Sequence, residues 1–168
     1  MTRINIGIPP QVLDDWRLIA EINETPRVAE VYQNRIDKNM NFGDIPKQFT
    51  LGEGHVKFFL NKGSCLINRY NAIVDEYETR GLKKIYGLHD KQCKPDITPL
   101  FVFKKEHFND YEISQKDIDL LVTRIIDTIN ESDKQPYWYG NVQTKKEAIN
   151  KLLKIGSYIK KPEQLNLF

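Results

Sequence analysis

The sequence predicts an all-α globule with room for only a short extended segment. Three observations point there. Apolar residues recur at helical spacing in several stretches. Residues that start or stop helices stand at the ends of those stretches. The single run that reads as extended is the four-residue LFVF, either a short strand or a buried loop.

Pro9 and Pro10 suit the first turn of a helix whose Val12, Trp16, Ile19, Ala20 and Asn23 share a mostly apolar face, with Pro26 ending it. Val28, Val31, Tyr32, Arg35 and Ile36 mark a second helix, and NMNFGDIPKQF follows as a loop with two breakers. A third helix opens after Gly54 and is interrupted at Gly63. Leu66, Tyr70, Ile73, Val74 and Tyr77 carry the next one to Gly81, placed as a C-terminal cap. From Lys83 to Tyr111 the pattern is least regular. Ser114 and Asp117 then stand near a capping box ahead of the stripe Ile118, Leu121, Val122, Ile125, Ile126 and Ile129. QPYWYG reads as an aromatic loop. Thr144 and Glu147 form a full capping box for a last helix through Leu153. The end, KKPEQLNLF, has no amphipathic pattern, which predicts one domain over 1–156 and a flexible tail over 157–168.

The chain of 168 residues is long enough to bury a real core in one domain. With 40% hydrophobic and 29% charged residues it suits a folded soluble protein rather than a disordered one. A net charge of +2 is too small to indicate a partner, although a basic face can hide within it. Cys65 and Cys93 lie far apart and are expected as reduced thiols, Cys65 in the core beside Leu66. His55, His89 and His107 are scattered without ligand spacing, so neither a metal nor another cofactor is expected. No apolar run approaches the ~20 residues of a membrane span. MTRINIGIPP lacks the long apolar region of a signal peptide, and the expectation is an intracellular, monomeric protein.

The second residue raises a chemical question. Thr2 is small enough for Met1 to be removed ahead of it, leaving a threonine α-amine with a pKa of roughly 7.7–8.0. About a tenth or more of such an amine is neutral near pH 7, far more than of a lysine at about 10.4. By itself Thr2 is an ordinary second residue. Glu24 alone is a helix-end carboxylate, and Arg3 and Arg27 alone are surface charges. A first helix packed across the globule would bring these groups into one region.

Taken together, MTRIN, AEINETPRV, LGEGHVKFF with Lys62, and the later ISQ and PYWYG resemble the pyrimidine-dimer DNA glycosylase family, over about Thr2 to Gly140. The resemblance implies a bifunctional glycosylase and abasic-site lyase on a compact all-α fold, acting on damaged double-stranded DNA without a cofactor. The Thr2 amine would attack the deoxyribose C1′ and displace the base. The resulting Schiff base would acidify the C2′ proton, and β-elimination would break the strand on the 3′ side. Glu24 would stabilise the cationic sugar and move protons. Arg3 and Arg27 match phosphate-holding positions. Asn23 stands where the family usually has an arginine, and one extra residue separates Thr2 from Glu24. Trp16 or Arg17 also replaces another polar residue. These departures touch lesion recognition more than the chemistry.

His55, Lys116, Tyr137, Trp138 and Tyr139 complete the expected DNA-binding set. His55 reads equally well as a structural histidine, and the three aromatics could instead plug the core. Gln164, Leu165, Leu167 and Phe168 resemble the QLxLF peptide by which bacterial replication and repair proteins dock on the DNA polymerase sliding clamp. That peptide implies a bacterial or phage-infected cytoplasm. The alternatives are a glycosylase for another damaged or modified base, or a damaged-DNA-binding module without catalysis.

Overall fold

The computed structural model describes residues 4–159, with side chains through residue 155. Thr2 and Arg3, and the tail residues Gln164, Leu165, Leu167 and Phe168, lie outside the described residues. Among those described, the helices are α1 (Asp15–Glu24), α2 (Pro26–Asp37), α3 (Glu53–Phe59), α4 (Gly63–Thr79), α5 (Leu82–Ile85), α6 (Gln115–Glu131) and α7 (Lys145–Ile159). The all-α prediction holds. The extended structure, however, is a hairpin inside the aromatic loop: β1 (Tyr137–Trp138) pairs antiparallel with β2 (Asn141–Val142). LFVF lies instead in a 3₁₀ turn over Thr98–Val102 and the residue after it.

The first helix begins later than its prolines predict. Pro10–Val12 form a separate 3₁₀ turn, and Asp14 caps α1 by accepting from the Arg17 amide. This cap satisfies one of the unpaired amides of a helix start, so helical geometry begins at Asp15. The buried face is therefore Asp15, Leu18, Ile19, Glu21 and Ile22. Trp16 and Asn23, expected on the inner face, point outward.

Helix α1 packs on α4, whose inward residues include Leu66, Tyr70 and Ile73. Thr25 breaks α1 from α2: its hydroxyl donates to the Glu21 carbonyl at 2.7 Å, and Pro26 starts the new helix. At the end of α4, Gly81 takes φ 63°, the left-handed conformation a C-terminal glycine provides. Helices α6 and α7 pack together, and each has its predicted reciprocal cap. The Asp117 amide donates to Ser114 Oγ while the Ser114 amide donates to Asp117 Oδ2. Thr144 and Glu147 do the same for α7, which continues six residues past Leu153 to Ile159. Cys65 and Cys93 are buried free thiols, and burial pushes Cys65 up to about 12.

Candidate active site

Ile4, Ile6 and Ile8 are buried, so the start of the described chain runs through the core. Its polar atoms are tied down one by one. Glu21 is fully buried and accepts four hydrogen bonds. Two come from Asn5, through its backbone N–H and its Nδ2, both at 2.8 Å. The other two come from Arg69 Nε and Nη2, at 2.7 and 2.9 Å, a two-pronged pairing. Arg69 Nη1 also donates to the Ile8 carbonyl at 2.6 Å. From α6, Arg124 Nη2 reaches Asn5 Oδ1 at 2.6 Å. The buried charges thus come with their opposite charge and further donors, the condition under which burial is tolerated.

One residue earlier, the Ile4 N–H donates to His55 Nε2 at 3.3 Å. The other ring nitrogen, Nδ1, donates to the Thr50 carbonyl at 3.1 Å. These partners require the neutral tautomer with hydrogen on Nδ1. Burial pushes His55 down to about 4, which keeps it neutral. At 1% exposure, with both nitrogens used by backbone, His55 has no atom to offer DNA. Its contacts are with the backbone of Ile4 and Thr50, the structural one of its two expected roles.

Glu24 stands three residues beyond Glu21, one turn along the same side of α1 and half-buried. Arg27 is exposed in the first turn of α2. Asn23 is exposed and donates through Nδ2 to the Gln92 carbonyl at 2.7 Å, so it braces a neighbouring loop. On the Asn5 side a groove of about 780 Å³ opens, lined by Trp16, Arg17, Arg124, Thr128 and Lys134 among others. Arg17 is held within it by Asp14 and by Thr128 Oγ1 at 2.7 Å. Lys116 is exposed on the first turn of α6, on the side of that helix that carries Thr123 and Asp127.

The three aromatics separate. Trp138 is 6% exposed, donates Nε1–H to the Gln11 carbonyl at 3.1 Å, and has Lys151 Nζ 3.4 Å from its ring centre. It packs as a core residue, the structural one of its two expected roles. Tyr137 is half-buried. Tyr139 is 48% exposed and sits at φ 50°, followed by Gly140 at φ 74°. Two left-handed residues are what a tight two-residue hairpin needs, and glycine is the easier of the two. Asp15 supports the turn by accepting the Tyr139 N–H at 3.1 Å and the Gly140 N–H at 2.8 Å. It also accepts from Arg80 Nη1 at 2.9 Å and the Tyr86 hydroxyl at 2.8 Å. Asp15 and Glu24 lie at opposite ends of α1, about 13 Å apart along its axis. Tyr139 is therefore held at the end of α1 away from Glu24, which lies one turn beyond the Asn5-bound Glu21.

Lys62 has the other unusual amine. It is buried, donates to the Phe58 carbonyl and Asn61 Oδ1 at 2.7 and 2.8 Å, and lies 3.9 Å over the Phe58 ring. Burial lowers its pKa, but these contacts enclose it.

Sequence reasoning missed Asn5, Glu21, Arg69 and Arg124 as the groups that hold the segment. A signal was present for Arg69. Leu66, Arg69, Ile73, Glu76 and Arg80 repeat at spacings of three and four, which puts charged residues on a buried stripe where each needs a partner.

The fold is all-α, and it ties Ile4 and Asn5 to His55 and Glu21. The family model described as pyrimidine dimer DNA glycosylase matches residues 1–90, more than half of the chain. The chain belongs to that family.

Proposed function

We propose that this protein excises a damaged pyrimidine, the cyclobutane dimer, from duplex DNA and then cleaves the abasic site. The observation that carries the reading is the attachment of Asn5 to Glu21. Glu24 is about 4.5 Å further along α1. Three residues of chain reach at most about 11 Å, a span that supports pairing the Thr2 amine with Glu24 in this reading.

The neutral Thr2 amine forms a bond to C1′, and the glycosidic bond breaks with its electron pair leaving on the base. Loss of a proton from nitrogen and opening of the sugar ring leave an imine. Removal of a C2′ proton then expels the 3′ phosphate oxygen. Glu24 stabilises the developing positive charge at C1′ and relays protons at the ring oxygen and C2′. Arg3 and Arg27 hold phosphates, and Arg124 and Lys134 in the groove, whose lining also carries the Arg17–Asp14 pair and Glu131, offer further donors to the backbone. Lys116 and Tyr139 extend the footprint, with Tyr139 stacking on exposed bases. Unstacking the lesion or its partner costs a few kcal/mol and is cheapest where the duplex is already distorted. The reading extends to a second partner: Gln164, Leu165, Leu167 and Phe168 dock on a bacterial sliding clamp.

Cleavage of ultraviolet-irradiated and abasic duplexes tests this. Protein lacking Met1 nicks both, and protein whose N-terminal amine is acetylated nicks neither. Equal nicking by the acetylated protein contradicts the reading.

A further inference from the structure

We infer that Asn5, Glu21 and His55 are positioning residues that fix the N-terminal amine at the reaction centre. The inference rests on the Schiff-base reading above. The first residues of a domain ordinarily fray unless tied down. Here Ile4 and Asn5 are tied through both backbone amides: Ile4 N–H to His55 Nε2, Asn5 N–H to Glu21 Oε1. The Asn5 side chain is gripped at both ends, by Glu21 Oε2 and by Arg124.

A turn supports the same two residues from the other side. The Ile8 N–H donates to the Asn5 carbonyl at 3.1 Å, with Gly7 at φ 76° in the third position of the turn. That conformation favours glycine, and a β-carbon on Gly7 would lie 2.6 Å from Ile113 Cδ1. The chain from Ile4 to Ile8 is thus held by groups from α1, α3, α4 and α6.

Apolar packing alone would hold the core at lower cost than a buried glutamate, arginine and histidine. What the polar set adds is direction. An amine attached two residues before Ile4 inherits a fixed starting point, and the reaction gains from that placement because a misplacement of about 1 Å can cost about 100-fold in rate.

The test uses His55→Leu, which removes both backbone contacts; His55→Gln, whose amide can still accept from Ile4 and donate to Thr50; and Asn5→Ala. Glu21→Gln is a poorer probe because it leaves Arg69 buried without its counter-charge. Three quantities are measured on folded protein: amide exchange at Ile4 and Asn5 without DNA, affinity for abasic duplex, and the single-turnover rate of borohydride trapping at saturating duplex. In His55→Leu and Asn5→Ala we expect exchange at least about tenfold faster and trapping at least about tenfold slower. Their affinity stays within about threefold of wild type, and His55→Gln recovers most of the rate. Wild-type protein that traps no DNA overturns the Schiff-base reading itself. Wild-type protein that traps, with both variants keeping its rate at saturation, overturns only the positioning role. So does a rate loss that disappears at saturating duplex, or an Ile4 amide that exchanges as fast in wild type as in His55→Leu.

Discussion

Replacing His55 with glutamine should remove a large part of the protein's loss of stability between pH 6.5 and 4. In the folded protein the ring is neutral, held down to about 4 chiefly by burial, with Arg124 adding to the depression and Glu21 opposing it. The rings of Phe49 and Phe59 pack against it, and the Thr50 carbonyl and Ile4 amide take its nitrogens. In the unfolded chain the same ring titrates near 6.5. As pH falls through 6.5 the unfolded state takes up a proton that the folded state refuses until about 4, so stability falls with pH across that window. The gap corresponds to about 3 kcal/mol by pH 4, against a typical domain stability of about 5–15 kcal/mol. Urea unfolding at several pH values between 4 and 7 measures it. The carboxylates, His89 and His107 are common to both proteins and largely cancel in the comparison. Wild type should lose roughly 2–3 kcal/mol more than His55→Gln between pH 7 and 4. Parallel pH profiles would show that His55 is not held neutral by the fold, and the account of its tautomer and its grip on Ile4 would fail.

Other substitutions separate chemistry, packing and partner binding. Glu24→Gln should lower strand cleavage by at least about 100-fold with little change in affinity for damaged duplex, read by single-turnover assay and titration; near-normal cleavage would remove this carboxylate from the mechanism. Trp138→Ala should cost about 3–5 kcal/mol of unfolding free energy, whereas Tyr139→Ala should leave stability within about 1 kcal/mol and weaken binding of damaged duplex by about 1–3 kcal/mol. Deleting Gln164–Phe168 should leave cleavage of short duplexes unchanged and abolish binding to a bacterial sliding clamp measured by pull-down or calorimetry.

Much of the fold was legible because helix boundaries carry local chemistry. The caps at Ser114 and Thr144 and the stop at Gly81 each use residues whose hydrogen bonds or φ values are set within four positions. The first helix was misjudged for an equally local reason: Pro9 and Pro10 suit a helix start, but the capping oxygen of Asp14 wins. That shift decided which face of α1 is inward, and hid Glu21 among the polar residues. The aromatic loop shows a different limit. YWY gives three similar side chains in a row, and only the hairpin, with Trp138 in its strand and Tyr139 in its turn, puts Trp138 inside and Tyr139 outside. The clamp around Ile4 and Asn5 was not legible at all, because it joins residues up to 119 positions apart.

The nucleophile we propose is the Thr2 α-amine. Borohydride reduction of the protein mixed with abasic duplex, followed by proteolysis and mass mapping of the nucleotide adduct, tests it most directly. A single adduct is expected on the N-terminal peptide, carried by the Thr2 amine and lost when that amine is acetylated. An adduct on Lys62 or any other lysine, persisting after N-terminal acetylation, would contradict it.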